Sequence, residues 1–322
     1  MDEFSLIRDL LAPLTRGAAG AYGLGDDAAT IAPRPGCELV VTVDAVVGGV
    51  HFRTDDPPGR IAQKAARVNL SDLAAKGADP VGLVMALGVP VGTTDTWLRA
   101  FVAGLADDLD HFGVPLLGGD TTSTPGPLTV SITAFGNVPV GAMIRRSGAQ
   151  AGDLLCVSGT IGDAVLGLAS DPGLPAAGRT FARDRYLLPR PRLALGHALR
   201  GIAHAAIDVS DGLVADIGHM CAQSGVAAEI EAASVPLSDA GRAWLEARGD
   251  EALRRMLTGG DDYEIAFTMP AARRDELPSL VAQGSVPVSI IGRITAGNGV
   301  KVRDAAGGEL AFARSGYRHL QP

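Results

Sequence analysis

The chain has 322 residues, of which 47% are hydrophobic and 20% charged; this suits one or two globular domains with a substantial core and excludes wholesale disorder. Its 28 basic and 36 acidic residues sum to −8 with no basic run, so nothing resembles the footprint of a nucleic-acid binder, and a polyanionic ligand would need metal ions to bind. Glycine is the outlier, at 42 residues or about 13% against a usual ~7%, so turns and close backbone approaches are expected to matter.

The three lysines are Lys64, Lys76 and Lys301, and none completes a G-x-x-x-x-G-K-[ST] pattern, so a P-loop is excluded. Cys37, Cys156 and Cys221 are far apart and form no C-x-x-C. Neither a zinc site nor a disulfide framework is expected, and a reducing cytoplasm fits. The acidic N-terminus lacks the basic region of a signal peptide, and the apolar run Val81–Val91 contains Pro90 and is too short to span a bilayer, so no membrane insertion is expected.

In chain order, Phe4, Ile7, Leu10, Leu11 and Leu14 share a helical face ahead of a glycine-rich loop from Gly17 to Asp27. Glu38–Asp44 and Val46–Phe52 read as two strands, with Asp44 at the end of the first. Ile61–Lys76 has helical character with Gly77 as its stop, and Val81–Val91 reads as a buried strand. Trp97, Phe101, Leu105 and Leu109 recur at i+4 in a helix that ends near Gly113. After it come a strand Val114–Leu117, a turn Gly118-Gly119-Asp120 and a strand Leu128–Val138. Asn137–Gln150 reads as a linker, which sets expected domains of 1–140 and 141–322.

Asp153–Ser158 opens the second unit. Ala206–Ser210 is a short strand leading into a helix that carries Leu213, Ile217, Met220 and Cys221 on one face and stops at Gly225. Tyr263–Met269 and Val288–Ile294 are further strands, and Asn298-Gly299 is a hairpin signal.

Acidic residues recur beside glycines or at the ends of apolar strands: Asp26-Asp27, Asp44, Asp72, Asp120, Asp208 with Asp211, and Asp261-Asp262 with Glu264. Where such groups converge, each close pair repels by about 4 kcal/mol at an effective dielectric near 20, so they either protonate or hold divalent cations. Hard oxygen ligands select magnesium, calcium or manganese.

Simpler readings stand beside each feature. Gly23-Leu-Gly-Asp-Asp-Ala28 resembles G-x-G-x-x-A, but no strand precedes it and two aspartates would repel a bare pyrophosphate, leaving a plain turn. Lys64, Asn69, Asp72 and Lys76 fit a solvated helix face with an Asp72–Lys76 ion pair. Capping of the following helix explains Ser210 or Asp211, but not Asp208 inside its apolar strand. His51 lies beside the candidate cluster, whereas His111, His197, His204 and His219 read as structural; Trp97, Phe101 and Cys221 read as core.

Gly23-Leu-Gly-Asp-Asp-Ala-Ala29, Val43-Asp44 through Gly49-Val-His-Phe52, Val68-Asn-Leu-Ser-Asp-Leu-Ala-Ala75, Gly118-Gly-Asp-Thr-Thr122, Arg146-Ser-Gly-Ala149, Ile207-Asp-Val-Ser-Asp-Gly-Leu213 and Gly259-Gly-Asp-Asp-Tyr-Glu264 together closely resemble the thiamine-monophosphate kinase family. They run in family order, and the weaker Ser315-Gly-Tyr-Arg-His319 extends the resemblance to the C-terminus. The resemblance implies an α/β (α+β type) chain with a two-domain aminoimidazole ribotide synthetase-like fold: an N-terminal sheet domain that dimerises and a C-terminal α/β domain. It also implies a cytoplasmic homodimer that uses ATP and several magnesium ions to convert thiamine monophosphate to thiamine diphosphate. Alternatives are another ATP-using member of the same superfamily and a catalytically silent metal- and nucleotide-binding protein.

By motif, the resemblance implies magnesium ligands at Asp27, Thr42, Asp44, Asp72, Asp120, Asp208 and Asp211, with Val43 in the same set although the family often has a hydroxyl residue there. ATP contacts fall on Gly119, Asp120, Arg146 and Ser210, and substrate contacts on His51, Asp261 and Tyr317. Asp44, Asp120, Asp211 and Arg146 are the residues implied to be catalytic. Besides Val43, three positions depart from the family: Val102 replaces an aromatic residue, Asp261 a glutamate and Tyr317 a tryptophan.

Overall fold

Alternating burial along β-branched runs builds the sheet of the first unit from β1 (Cys37–Val47), β2 (Asp79–Pro90), β3 (Leu116–Thr124) and β4 (Thr129–Pro139). Their order is β1-β4-β2-β3, with β4 antiparallel to both neighbours and β2 parallel to β3. The computed structural model describes residues 2–317 in two units, one comprising the chain up to Leu73 with Ala78–Gly141, the other Ala74–Gly77 with the chain from Ala142 onward.

Two expectations fail in this sheet. Asp44 does not end a strand: it pairs with Ile132 in the middle of β1, because the apolar alternation continues through Val46 and Val47 until Gly48-Gly49 turns the chain. Gly118-Gly119-Asp120 is not a turn but part of β3. A Cβ on Gly119 would lie 2.0 Å from the Met85 carbonyl oxygen, so glycine is required there by the approach of β3 to β2.

The expected N-terminal helix is α-helical only over α1 (Glu3–Leu6), widens to a π-turn over Ile7–Leu11 and tightens to a 3₁₀ turn over Ala12–Thr15. Pro13 has no N–H to continue the ladder, which suits the start of the tighter turn at Ala12. Helices α2 (Pro58–Ala75) and α3 (Asp95–Phe112) lie where expected, with Gly77 and Gly113 in left-handed conformations just beyond their ends. They approach closely at Gly59 and Gly104, where a Cβ on Gly104 would lie 2.3 Å from Gly59 Cα. Buried Asp108 on α3 accepts from Gln63 Nε2 at 2.9 Å and from both arms of Arg67.

The second unit comprises β5 (Leu154–Ser158), α4 (Asp163–Ala169), α5 (Ala176–Leu187), α6 (Leu193–Ala198), β6 (Ala205–Asp208), α7 (Leu213–Ser224) and β7 (Ala227–Glu231). It continues with α8 (Asp239–Arg248), α9 (Asp250–Thr258), β8 (Ile265–Met269), α10 (Leu277–Gly284), β9 (Val288–Thr295) and β10 (Gly299–Arg303). The sheet order is β10-β7-β9-β5-β8-β6. Asn298-Gly299 therefore makes no hairpin: β10 pairs in parallel with β7, which lies between it and β9.

Both faces of the sheet are covered at β5, β8 and β6, which is why those strands read as continuous apolar runs, whereas β7 and β10 alternate between buried and exposed positions. Leu155, Val157 and Ile207 pack with Leu213, Ile217, Met220 and Cys221 of α7, whereas Cys156, Ile265, Phe267 and Met269 pack with Leu195, Leu199 and Leu280. Among the described residues no helix is long and apolar enough to cross a membrane.

Candidate active site

In the first unit, α2 supplies Asn69 and Asp72, three residues apart, to β1 residues Asp44 and Thr42, two residues apart. The Thr42 hydroxyl donates to Asp72 Oδ2 in a short contact, and the Asp44 N–H donates to Asn69 Oδ1 at 2.9 Å. One helical step of ~4.5 Å thus runs alongside one strand step of ~6.7 Å, and both keep their side chains on one face. The reading of this helix face as solvated is overturned. Asn69 is 0% and Lys64 2% exposed, and the amine of half-buried Lys76 donates to the Ala206 carbonyl at 2.8 Å. Alternation places Val43, 60% exposed, on the opposite face from Thr42 and Asp44, so its side chain adds no ligand to their group.

A cavity of about 400 Å³ in the same unit is lined by Asp26, Asp27, Met85, Gly118, Gly119 and Asp120 among others, and so brings Asp27 and Asp120 to one space. Its wall is the glycine-rich loop, closed by Thr30 N–H to Gly20 O at 2.9 Å and by a Tyr22–Thr30 hydroxyl pair at 2.9 Å. Within it the Asp27 N–H donates to Asp26 Oδ1 at 2.8 Å. The sheet register runs Asp44–Ile132–Met85–Gly119 across four strands. Three interstrand spacings separate Asp44 from Gly119 by about 14 Å, too far for Asp44 and Asp120 to share a single ion.

In the second unit, Asp208 is 4% exposed at the end of β6. The loop from β6 to α7 is not capped by Ser210 or Asp211: Asp216 reaches back, and its Oδ2 accepts the N–H groups of Ser210, Asp211 and Gly212 at 3.0 to 3.1 Å. Burial, and then the Asp211 charge, push the Asp216 carboxyl up to about 7. Sequence reasoning assigned Asp216 no role; the available signal was an acidic residue in the first turn of an otherwise apolar helix. An exposed His219 places a ring nitrogen within 4.8 Å of carboxylate oxygens of Asp211 and Asp216, although the sequence marked it as structural.

Asp261 and Tyr317 converge on the same loop. The Asp261 N–H donates to Ser210 O and the Tyr317 N–H to Asp211 O, each at 2.9 Å. A Cβ on Gly316 would lie 2.4 Å from that of Ala215, so glycine permits the second contact. Tyr317 is 50% exposed, and Arg318 and His319 of its motif lie outside the described residues.

Arg146 is not brought to this loop by its backbone. Its carbonyl accepts from Ser224 Oγ at the far end of α7, about 16 Å along the helix from Leu213, and its side chain is exposed. In the first unit, His51 is half-buried and its Nδ1 accepts the Val47 N–H at 3.0 Å, while Val102 is buried on α3 at 5% exposure.

Residues 25–138 match the family described as AIR synthase related protein, N-terminal domain, and residues 150–305 match its C-terminal domain. A thiamine-monophosphate kinase from Caulobacter vibrioides is 43% identical over 319 residues, covering 98% of this chain and 90% of that protein. The chain belongs to the thiamine-monophosphate kinase family. The solved thiamine-monophosphate kinase of Stenotrophomonas maltophilia K279a superposes with a TM-score of 0.84 at 43% identity, covering 94% of this chain and 96% of that one. A second solved kinase of the family, described as AaThiL complexed with AMPPCP and TMP, gives a TM-score of 0.78 at 28% identity and covers 99% of this chain and 97% of that one.

Proposed function

We propose that this protein transfers the γ-phosphoryl group of ATP to thiamine monophosphate, giving thiamine diphosphate and ADP. The observation that carries the reading is membership of the kinase family over 98% of the chain, and the cavity shared by Asp27 and Asp120 and the Thr42–Asp72 contact in the first unit support it.

The donor set fits magnesium. Asp27, Thr42, Asp44, Asp72 and Asp120 in the first unit and Asp208 and Asp211 in the second all offer hard oxygen atoms. The ~14 Å between the Asp44 and Gly119 positions supports more than one ion. Those residues would hold magnesium, which would neutralise charge on the transferring phosphoryl group.

The protein's own contribution is positioning. The acceptor is a phosphate monoester with a second pKa near 6, already largely ionised at neutral pH, so no strong general base is needed. Gly118, Gly119 and Asp120 line the cavity of the first unit, which suits a phosphate-binding wall there. We assign ATP contacts to Gly119, Asp120, Arg146 and Ser210 and acceptor contacts to His51, Asp261 and Tyr317. Arg146 supplies positive charge to an ATP phosphate, and Tyr317 a ring face for the cationic thiazolium or the pyrimidine.

A cytoplasmic homodimer accompanies this reading. Val41 and Val43 on edge strand β1 are 55% and 60% exposed and lie beside half-buried Phe135 and Thr133 of β4, an apolar sheet face suited to a second copy.

The deciding experiment supplies ATP, magnesium and thiamine monophosphate and follows ADP and thiamine diphosphate by chromatography, with a chelator control. Equal, magnesium-dependent formation of both products is the expected result. ADP without thiamine diphosphate would reassign the acceptor.

A further inference from the structure

The segment Gly259–Glu264 holds two non-glycine residues in left-handed conformations, Asp261 at φ 74° and Tyr263 at φ 50°. L-residues avoid this region because Cβ crowds the backbone, so the conformation persists only where the surroundings impose it. One part of that constraint is a backbone stitch to the loop after β6. The Asp261 N–H donates to Ser210 O at 2.9 Å, the Tyr263 N–H to Val209 O at 2.8 Å, and the Val209 N–H to Glu264 O at 2.8 Å. A Cβ on Gly260 would lie 2.3 Å from Ser210 O, so the two segments touch without room for a side chain.

The other part is a set of inward anchors on the even-numbered residues. Asp262 is 1% exposed and accepts the Gly162 N–H at 2.8 Å; Glu264 is 0% exposed. The Glu264 carboxylate takes Ser158 Oγ at 2.6 Å, Arg185 at 2.8 Å, Arg192 Nε at 2.7 Å and a second, short bond from the Arg192 fork. Arg185 also donates to the Asp262 carbonyl at 3.1 Å, so it belongs to the folded core of the segment.

Arg192 differs from Arg185. Its side chain is 17% exposed, and it follows Pro189-Arg190-Pro191, whose rings fix φ and hold the preceding residues extended, a stiff strut just before α6. Arg185 is one cationic partner of Glu264 but is shared with buried Asp163, whose Oδ2 lies 3.9 Å from the Arg185 Nε. The second adds a planar two-point grip that sets the orientation of the carboxylate, and with it the backbone that runs back to Asp261.

We propose that Arg192 is a positioning residue. Through Glu264 it holds the left-handed Asp261–Tyr263 backbone against the Ser210–Asp211 loop, and so sets the site at which the acceptor phosphate ester is bound. The second half of this statement rests on the kinase reading and on Asp261 as an acceptor contact.

The test compares wild type with R192Q and R192K, reading amide hydrogen exchange at Asp261 and Tyr263, the thermal midpoint, kcat, and separate KM values for thiamine monophosphate and ATP. For R192Q, exchange at both amides rises about tenfold or more, the thermal midpoint moves by only a few degrees, and the acceptor KM rises about tenfold with the ATP KM within about twofold. R192K, which keeps the charge without the fork, recovers only part of the acceptor KM. Unchanged exchange at Asp261 and Tyr263 would overturn the proposal, as would faster exchange with an unchanged acceptor KM, or both KM values rising together with a lowered midpoint. Should wild type itself fail to phosphorylate thiamine monophosphate, the kinase reading falls, and the exchange data alone decide whether Arg192 holds the segment.

Discussion

The backbone N–H of Asp44 donates to the side-chain oxygen of Asn69, 2.9 Å away, at an asparagine with no exposed surface. As the edge of its sheet, β1 leaves some N–H groups without ladder partners, and α2 satisfies this one from inside the fold. An uncharged amide is the right group there because Asp44 and Asp72 already concentrate negative charge. Asn69→Asp keeps the acceptor but adds a buried charge. It should lower the thermal midpoint in chelator by several degrees and regain most of the loss in magnesium. Asn69→Ala strands the Asp44 N–H at a cost of about 1–3 kcal/mol that magnesium does not restore. Equal losses in both variants, indifferent to magnesium, would show that Asn69 has no electrostatic relation to a cation site.

The carboxylates themselves make a simpler test. Asp44→Asn, Asp120→Asn and Asp211→Asn preserve shape and remove one charge each, at residues that are partly or fully solvent-accessible. Each should lower turnover by orders of magnitude while the unfolding midpoint and circular dichroism stay near wild type. Near-wild-type rates in all three at saturating magnesium would refute the metal assignment.

Part of this arrangement was legible in the sequence. The ordered motifs singled out Asp27 and Asp120, which line one cavity, and Thr42 and Asp72, which touch, and the stop glycines at Gly77, Gly113 and Gly225 marked helix ends because each takes a left-handed conformation there. The misreadings share a cause: local signals do not reveal which chain comes alongside. Gly118-Gly119 looks like a turn, but Met85 of the neighbouring strand demands the missing Cβ. Asn298-Gly299 looks like a hairpin, but β7 intervenes. The polar side chains of α2 look solvated, but Asn69 and Lys64 face inward, and Asp216 serves three N–H groups that no spacing rule connects to it.

Asp216 carries a pH signature. Its carboxyl is pushed up to about 7 in the fold against an ordinary 3.8, first by burial and then by Asp211. Between about pH 4 and 7 the unfolded chain has lost this proton while the folded chain keeps it, so stability falls as pH rises through that window, by up to about 1.4 kcal/mol per pH unit. Below pH 4 both states hold the proton and the contribution is flat. Asp216→Asn can still accept the three N–H groups and removes the titration. In chelator, its stability relative to wild type should therefore increase steadily from pH 4 to 7, as read by denaturant melts. Parallel curves would mean that Asp216 ionises normally.

Val43 separates the two faces of β1 functionally. Thr42 and Asp44 turn toward α2, while Val43 is 60% exposed on the other side. Val43→Glu should leave the fold of the chain intact and convert a dimer to a monomer in sedimentation velocity, because a charge on an apolar face must be desolvated on association. A monomeric wild type, or a dimeric variant, would remove this sheet face from the assembly.

Tyr317 occupies a position where the family resemblance calls for tryptophan, and its backbone is tied to the Asp211 carbonyl at 2.9 Å. That bond uses the main chain, so a change of side chain leaves it in place and alters only the aromatic face. Half-exposed as it is, the ring should contribute on the order of 1 kcal/mol to holding a cationic ligand, or about fivefold in affinity. Tyr317→Ala should therefore raise the KM for thiamine monophosphate about fivefold with a smaller effect on the KM for ATP, and Tyr317→Trp should lower it below wild type. A pyrimidine analogue lacking the thiazolium charge identifies the stacked ring: if the tryptophan advantage disappears with the charge, the aromatic face meets the thiazolium; if the advantage persists, it meets the pyrimidine. Acceptor KM values indifferent to all three side chains would take Tyr317 out of the substrate site.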